Sequence, residues 1–399
     1  MKKTLLLSVN IFFRSKLKLL SIIVQLFIAI VIINISIALI CNVLYMRYFV
    51  SRTNLHESIY FYAAPQYTHS LDMKADDEIK NMLSEITEID VFGSINTSFI
   101  RKPDGNEIIK ALVYDTSIIK KVKLPVSYGR WFSNDDIMQK NGTIPAVIGS
   151  DMHRDFKLNH TYNIMFSTTP DTWVMIDIKV IGILNVSGYS INLSGNNLDN
   201  MVEGDFKGII IPYNENLSQI YQMKYNGGVL LYPQSDGINE VDETMLFITG
   251  KTSSYGELKD FYHLLKDFEK SNEEVINLTL SLGIIVLIVS IAGLGGNNIL
   301  SVMQNEKIFG IYYMCGAKWK DCIKIVLLKD IVILIIPFLF SVCILKILRD
   351  ISNMDFIISN ITSNLISVGI CMVIFFITSV GPLIDLYKKD PISIIREWV

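Results

Sequence analysis

The sequence predicts an α-helical membrane protein with four transmembrane helices, one plus three, and an α+β extracytoplasmic domain between helices 1 and 2. Three observations support this fold class. Four long stretches of the 399-residue chain are apolar and almost free of charge. The segment 47–274, between the first two stretches, holds 21 basic and 31 acidic residues, a net charge of −10. Within that segment, strand-like alternation is mixed with helical periodicity.

The first apolar stretch predicts transmembrane helix 1 at 19–46, where 28 positions contain no charged residue. A bilayer core of ~30 Å needs ~20 apolar residues, so this stretch is long enough to cross. Residues 1–18 carry five basic and no acidic side chains, and we expect a cytoplasmic amphipathic segment there. A cleaved signal peptide is the alternative. Its apolar region would be only ~7–15 residues long and would end in an A-x-A-like pattern of small residues, which Ile37 to Cys41 lack.

Three further helices are expected near the end of the chain, and the connections follow from them. The predicted spans are 275–303, 325–348 and 359–386. The predicted connections are a cytoplasmic coupling loop at 304–324, an outer loop at 349–358 and a cytoplasmic tail at 387–399. The loop at 304–324 contains four lysines, and basic loops stay in the cytoplasm. We therefore expect a multi-pass protein of the cell membrane with both termini in the cytoplasm and residues 47–274 extracytoplasmic.

The extracytoplasmic domain at 47–274 is expected to have α/β ends and a β-rich insert at about 116–206. Runs of β-branched and apolar residues predict six strands. These strands are Ile108–Tyr114, Ala146–Gly149, Tyr162–Phe166, Trp173–Ile181, Gly208–Ile211 and Val229–Tyr232. Helices are predicted at Ala75–Thr87 and Tyr255–Ser271. The latter helix places its apolar residues on one face and leads towards the second span, which predicts a stalk.

Composition and motifs argue against several functions. A formal net charge of −3 disfavours nucleic-acid binding, which usually requires a basic excess. Gly250-Lys251-Thr252 resembles the end of a phosphate-binding loop, but Met245 stands where that motif needs glycine. The five histidines show no metal-ligand spacing, and no nucleophile motif accompanies them. We therefore expect no catalytic, cofactor-binding or metal-binding residues on this chain.

Polar and small residues within the predicted spans are expected to pack helices together. Gly293, Gly295 and Gly296 favour a close approach of two helix backbones, and Asn298 favours a hydrogen bond between helices. Lys329 and Asp330 are predicted to reach the membrane interface or to pair, because long charged side chains extend towards water near span ends. A translocation pathway is the less favoured alternative.

The loop after the second span is the most informative segment. Ile308, Ile311, Tyr312 and Cys315 are spaced to share one face of a helix, and Gly316 is suited to end that helix. A short, basic and partly apolar helix on the membrane face can bind a soluble partner or act only as an interfacial anchor. The residue pattern does not decide between binding a partner and anchoring at the membrane interface.

Several motifs resemble those of the MacB/FtsX-type permeases of ABC transporters. Around the inner loop they are Asn298, Ser301-Val302, Gly310-Ile311 and Cys315-Gly316-Ala317. In the outer domain and tail they are Gly129 to Asp136, Ala146 to Ser150, Val180 to Leu184, Ile210 to Pro212, and Asp390-Pro391. The resemblance covers the whole chain, and the layout of one plus three spans is its most specific part. The acids of the family pattern are shifted here, because Ile308 and Lys329 occupy their positions.

The resemblance implies the permease subunit of an ABC transporter. A separate ATPase, with ATP and magnesium bound to it, would dock on the inner loop, and a second permease subunit would pair with this one. The residues implied in coupling are Glu306, Lys307, Ile308, Phe309, Gly310, Ile311, Tyr312, Cys315, Gly316 and Ala317. The implied activity is export of peptides or antimicrobials, or resistance to them, with an extracytoplasmic accessory protein or peptide as a further partner. The alternatives are an FtsX-like regulator of cell-wall hydrolases and a receptor or sensor without ATPase coupling.

Overall fold

The computed structural model describes most of the chain in two compact units. The described residues are 16–63, 79–81, 83–86, 89–102, 105, 107–138, 142–185, 189–193, 197–204, 206–225, 228–233, 256–314, 316, 318–352 and 361–388. One unit, which we call the sheet domain, is Leu44–Ser271. The other unit, the helical unit, combines Met1–Val43 with Asn272–Val399.

Long helices dominate the helical unit, and short helices accompany the sheet. The helices with defined bounds are α1 (Lys16–Arg52), α2 (Thr116–Lys121), α3 (Asn134–Met138), α4 (Leu198–Met201), α5 (Glu215–Ser218), α6 (Phe261–Gln304), α7 (Glu306–Met314), α8 (Trp319–Ser352) and α9 (Ile361–Lys388). Short 3-10 turns lie at Leu55–Glu57 and Ser150–Arg154.

Four of these helices are long and apolar enough to cross a membrane. The segments are Leu20–Arg52, Phe261–Gln304, Lys320–Ile347 and Leu365–Ile384. The prediction of four spans, one plus three, with a sheet domain between the first and second is confirmed, and the chain is a multi-pass membrane protein. The loop predicted at 304–324 is largely helical, because α7 lies within it and α8 begins at Trp319. The predicted N-terminal segment 1–15, the outer loop from 353 and the tail from 389 lie outside the described residues.

An apolar cluster holds the helical unit together. It combines side chains from α1, α6, α8 and α9, so all four membrane-crossing helices contribute. Its fully buried members are Ile22, Leu26, Leu294, Ile333, Leu334 and Ile374. Hydrophobic burial is a weak force between helices inside a bilayer, where van der Waals packing and polar contacts matter more.

Such polar contacts connect the membrane-crossing helices directly. The Asn34 amide of α1 donates a hydrogen bond to Ser341 Oγ of α8 at 3.1 Å, and Ser367 of α9 donates to Asn34 Oδ1. Nearby, Ser36 Oγ of α1 donates to Thr279 Oγ1 of α6 at 2.9 Å. Each of these bonds is worth about 0.6 kcal/mol on average in a membrane, and together they fix the register of α1 against its neighbours.

The sheet domain contains twelve strands within its described residues. They are β1 (Ile59–Ala63), β2 (Ile89–Arg101), β3 (Ile109–Asp115), β4 (Val126–Gly129), β5 (Thr143–Ile148), β6 (Thr161–Thr169), β7 (Thr172–Leu184), β8 (Ser190–Ile191), β9 (Val202–Glu203), β10 (Gly208–Tyr213), β11 (Gly228–Pro233) and β12 (Gly256–Asp260). Ten of them form one sheet in the order β12-β1-β11-β2-β3-β10-β5-β7-β4, with β6 paired to both β2 and β7. Strands β8 and β9 form a separate pair.

All six predicted strands are confirmed, as β3, β5, β6, β7, β10 and β11. Of the strands in the predicted β-rich insert at 116–206, β4 to β7 share one sheet with strands from before and after it, whereas β8 and β9 form their own pair. Of the predicted helix at Ala75–Thr87, residues 79–81 and 83–84 are helical. Ile79 and Leu83 lie in the main core of the domain.

The predicted helix Tyr255–Ser271 is wrong in its first part. Residues Gly256–Asp260 form the edge strand β12, and the helix begins only at Phe261. The reason is long-range pairing, since β12 runs antiparallel to β1 with Leu258 opposite Phe61. Strands β1 and β12 lie far apart in the chain, so no local pattern in Gly256–Asp260 indicates the partner that selects the strand conformation.

The family-like motif Gly129 to Asp136 forms a compact turn. Gly129 has a φ of +80°, and a Cβ there would lie 2.3 Å from the Ile181 carbonyl oxygen, so only glycine fits. Arg130 donates to both carboxylate oxygens of Asp136, one bond measuring 2.9 Å. The Trp131 indole donates to the Ile119 carbonyl at 3.3 Å. This motif therefore fixes a strand-to-helix connection within the sheet domain.

Candidate functional site

The candidate site is built on α7, the short helix that connects the second and third membrane-crossing helices. Asn305 lies between α6 and α7 and makes hydrogen bonds to both helices. Its backbone N–H donates to the Ser301 carbonyl at 3.1 Å, and its carbonyl accepts from Phe309 N at 2.9 Å. Its side-chain amide also donates to the Ser301 carbonyl at 2.7 Å. Asn305 therefore holds α7 at a defined junction with α6.

One side of α7 is anchored by Phe309. Its ring is only 2% exposed and packs with Val302, Cys322 and Val326 in a small core, with Tyr312 against its edge. Gly310 is also buried. Of the residues predicted to share one face, Ile311 is exposed, whereas Tyr312 packs against the Phe309 core. Cys315 lies outside the described residues.

The opposite side of α7 is apolar and open. Ile311 is 51% exposed and Met314 is 62% exposed, and the exposed Lys307 precedes them one turn earlier. Ile308 is half-buried. We call Lys307, Ile311 and Met314 the open face of α7. Exposed apolar side chains on a helix with a charged neighbour are suited to contact a protein or the membrane interface.

The C-terminal end of α7 has a defined geometry. The helix ends at Met314, and Gly316 follows with a φ of +88°, as expected of a glycine that terminates a helix. Ala317 lies outside the described residues. At the start of α8, the Asp321 carboxylate accepts from the Lys318 backbone N–H at 3.2 Å. A glycine turn and a capped helix thus separate α7 sharply from α8.

Charge at the candidate site is mainly positive. Glu306 opens α7, while Lys307, Lys318 and Lys320 are exposed around the same connection. Asp321 pairs with Lys324 at 3.4 Å, so this acid is partly neutralised. Burial raises the pKa of the Tyr312 phenol above its ordinary value, so this side chain adds no charge to the site. The surface around α7 therefore suits a partner that offers acidic groups.

The glycines predicted to pack helices lie in more open surroundings than expected. A Cβ built on Gly295 or Gly296 would meet no described atom within 4 Å, and one on Gly293 would meet only Gln25 Oε1 at 3.8 Å. The close contact lies earlier in α6, where a Cβ on Gly283 would be 2.9 Å from Ile33 Cγ1. Within one chain, Gly283 rather than Gly293–Gly296 therefore brings α6 against α1.

Asn298 makes the predicted hydrogen bond between helices and belongs to a buried polar cluster. Asn298 and Asp330 are fully buried, and Lys329 is 8% exposed. Lys329 Nζ donates to Asn298 Oδ1 at 3.5 Å, and Ser379 Oγ of α9 donates to Asp330 Oδ2 at 3.1 Å. Of the two outcomes predicted for Lys329 and Asp330, reaching the membrane interface is wrong, because both side chains are buried and bonded to α6 and α9. The sequence signal was the pair itself, since ionisable residues inside a span usually have a function.

The described residues contain no group of three or more His, Cys, Asp or Glu side chains that could hold a metal ion.

Residues 280–391 match the family described as the FtsX-like permease C-terminal domain. This C-terminal part of the chain is an FtsX-like permease C-terminal domain. The matched segment contains α7, its junction with α6, the glycine turn and the buried cluster around Asn298. No curated protein matches the chain as a relative.

Two solved structures resemble another part of the chain. One is the extracellular domain of the noncanonic ABC-type transporter YknZ from Gram-positive bacteria, with a TM-score of 0.32 and 14% identity over 51% of this chain and 99% of that one. The other is the periplasmic region of MacB from Actinobacillus actinomycetemcomitans, also with a TM-score of 0.32 and 14% identity, over 53% of this chain and 92% of that one.

Proposed function

We propose that this chain is the permease subunit of an ABC transporter. A separate ATPase subunit, which binds ATP and magnesium itself, docks on α7 and drives movement of the sheet domain on the other side of the membrane. The transported or sensed compounds are peptides or antimicrobials. The membrane is the cell membrane, both termini lie in the cytoplasm, and residues 47–274 lie outside.

The observation that carries this proposal is the geometry of α7 within the FtsX-like domain. Phe309 anchors the helix to the first turn of α8, while Ile311 and Met314 remain exposed. A helix that is rigidly attached on one side and apolar on the other transmits a push from a bound protein. A purely interfacial anchor needs no such attachment to the neighbouring span.

Transmission across the membrane is assigned to α6. This helix has 44 residues, which at 1.5 Å per residue gives a length of about 66 Å. A bilayer core takes up only ~30 Å of that length. Beyond the span, Glu269 of α6 pairs with Arg47 of α1 at 2.7 Å. A displacement of α7 therefore has a continuous helix along which to reach the sheet domain.

Pairing with a second permease subunit is assigned to the open side of α6. Many of its apolar side chains, including Leu278, Ile285 and Ile288, are more than half exposed within the single chain. Gly295 and Gly296 have open space around them on the same helix. Small residues favour close helix–helix contact in membranes, so a second subunit fits this side better than lipid alone.

The experiment is co-purification of the full chain from its native membranes. Ile311→Glu and Met314→Glu place a carboxylate on the open face of α7 without disturbing the buried Phe309. We expect both variants to lose a co-purifying ATPase that the wild type retains, as identified by mass spectrometry. Ile311→Leu is the matched control and should retain it. Replacing Gly310 or Tyr312 with a charged residue should also abolish binding of the ATPase. Both residues are packed against the protein, however, so these two variants could lose binding through misfolding.

The proposal fails if the wild-type chain co-purifies with no ATPase. It also fails if Ile311→Glu and Met314→Glu bind the ATPase as tightly as Ile311→Leu does. Size-exclusion profiles of the variants must match the wild type, so that a loss of binding is not a loss of folding.

A further inference from the structure

A groove of about 450 Å³ opens on the surface of the sheet domain. We call it the aromatic groove and define it by Ser98, Phe99, Ile108, Ser167, Trp173 and Lys224. Its volume is in the range of sites that bind small ligands or one or two side chains of a partner. None of these residues belongs to α7 or to the helical unit.

The sheet topology creates this groove. Strand β2 pairs with β11 up to Ser94 and with β6 only from Ile100 onward, which leaves a fork along one edge of β2. The side chain of Asn96 bonds the main chain of Lys224 twice, donating to its carbonyl at 2.8 Å and accepting from its N–H at 2.6 Å. Ser98 Oγ donates to the Ser167 carbonyl at 2.6 Å. Hydrogen bonds therefore hold β2 to the chain on each side of the fork.

The walls of the groove expose large apolar side chains. Phe99 is 45% exposed and Ile108 is 61% exposed, and Met175 next to the groove on β7 is 58% exposed. Trp173 lies between them and is half-buried. Apolar patches rimmed by polar residues mark interaction sites, because exposed apolar surface is costly when no partner covers it.

Two cations flank the groove without an ion pair among the described residues. The Arg101 guanidinium lies over the Trp173 ring, 4.6 Å from its centroid, and Lys224 is exposed at the opposite wall. By contrast, the neighbouring Lys102 is paired with Asp155 at 3.1 Å. The local charge therefore opposes the net −10 of segment 47–274.

We propose that the aromatic groove binds an extended peptide segment in which an apolar or aromatic side chain stands next to a carboxylate. The apolar side chain enters between Phe99 and Trp173, and the carboxylate pairs with Lys224. The hydroxyls of Ser98 and Ser167 are buried and donate to main-chain carbonyls, so they hold the strands beside the groove in place.

A peptide fits these features better than a sugar or a lipid does. A sugar stacks on an open aromatic face, but Arg101 covers one face of Trp173. An acyl chain needs a deep and purely apolar pocket, whereas Ser98, Ser167 and Thr168 contribute hydroxyls to this groove. The whole-domain charge favours cationic partners. Salt screens the electrostatic field of the whole domain over a Debye length of about 8 Å. Within the groove, the direct ion pair with a nearby lysine therefore outweighs that field.

The test uses the full chain in lipid nanodiscs and fluorescence anisotropy of labelled synthetic peptides. The first probe is a short peptide of leucine, phenylalanine and aspartate. The second replaces its aspartates with lysine, and the third replaces its leucine and phenylalanine with serine. We expect the first probe to bind at least about tenfold more tightly than either of the others. Empty nanodiscs report adsorption to lipid.

Substitutions in the groove separate a specific site from general electrostatics. Lys224→Glu should reverse the preference, so that the lysine probe binds more tightly than the aspartate probe. The main chain of residue 224 stays held by Asn96, so this change leaves the fold intact. Lys120→Glu is the matched control, since Lys120 is also exposed and lies outside the groove. Trp173→Ala should weaken the first probe by about tenfold.

Equal binding of the aspartate and serine probes would overturn the inference, as would binding to empty nanodiscs at the same level. The inference would also be wrong if Lys224→Glu still preferred the aspartate probe, or if Lys120→Glu changed that preference as much. Either result would mean that the overall charge of the domain, and not the groove, decides which peptide binds. The inference goes beyond the proposed ATPase coupling and is measured without ATPase or ATP. A failure here therefore leaves the α7 proposal standing, and the reverse also holds.

Discussion

The carboxylate of Asp136 is held by two residues at once. Arg130 donates to both of its oxygens, and Ser133 donates from its backbone N–H at 2.8 Å and from its hydroxyl at 2.7 Å. The side chain is only 8% exposed. Burial pushes its pKa upward, but the hydrogen bonds from Arg130 and Ser133 together outweigh burial, so the pKa of Asp136 lies below its ordinary value.

Asp136→Asn should destabilise the sheet domain by about 1–2 kcal/mol, because the amide cannot accept from both guanidinium nitrogens. The native pKa is depressed, so the carboxylate stabilises the fold above its ordinary pKa of 3.8. That contribution is lost as the pH falls through the lower native pKa. The difference in thermal unfolding midpoint between wild type and variant should be full at neutral pH and vanish under acid conditions.

Asp135→Asn is the control for this effect, since Asp135 is exposed on the same turn. It should change the unfolding midpoint little at any pH. If Asp136→Asn and Asp135→Asn behave alike, the Arg130 ion pair does not stabilise the domain.

Lys329 and Asp330 show where residue-by-residue reasoning fails. Their positions near a predicted span end suggested side chains that reach water. Burial depends instead on what other helices bring to that level, and here Asn298 of α6 and Ser379 of α9 cover the pair. The periodicity of α8 therefore cannot predict that Lys329 and Asp330 are buried.

Helices α6 and α1 pack closely at Gly283 of α6. A Cβ on Gly283 would lie 2.9 Å from Ile33 Cγ1 and 3.2 Å from Ile32 Cγ2. Glycine at this position lets the two helices meet where a larger side chain would hold them apart. The open glycines Gly295 and Gly296 sit elsewhere on the same helix.

Gly283→Leu should therefore force α1 from α6 and lower the thermal stability of the single chain, by about 1–3 kcal/mol, as overpacking does. Gly295→Leu should leave that stability unchanged, because its surroundings are open. Unfolding of each variant in detergent is the measurement.

Gly295→Leu has a second readout that concerns the paired subunit. It should weaken crosslinking between two copies in native membranes, whereas the stability of one chain stays the same. Equal stability of Gly283→Leu and wild type would contradict the packing described for α1 and α6.

For the whole molecule, membrane orientation is the property that charge predicts most directly. We expect residues 47–274 outside and α7 inside. In a variant without the five native cysteines, Lys157→Cys on the sheet domain should react with a membrane-impermeant maleimide on intact cells. Met314→Cys on α7 should react only after the cells are permeabilised.

Labelling of Met314→Cys on intact cells would contradict the orientation, and it would also remove the basis for docking a cytoplasmic ATPase on α7. Detergent-solubilised samples of both variants serve as controls, since both cysteines should then react.

The candidate site was only partly accessible from the sequence. The segment 304–324 was identified correctly as the connection that carries α7, and Gly316 was identified as its end. The sequence did not show which side of α7 packs against the protein, because an amphipathic pattern in nine residues fits more than one face. Only the contact of Phe309 with Cys322 and Val326 decides which side remains open.

The sequence by itself determined the number of membrane-crossing helices, the acidic domain between the first two, and six strands of its sheet. These properties depend on local sums of hydropathy, charge and β-propensity, which the chain carries in any conformation. The tertiary structure alone decided the edge strand β12, the burial of Lys329 and Asp330, the open face of α7 and the aromatic groove. Each of these requires residues far apart in the chain to meet, and no local pattern records which residues those are.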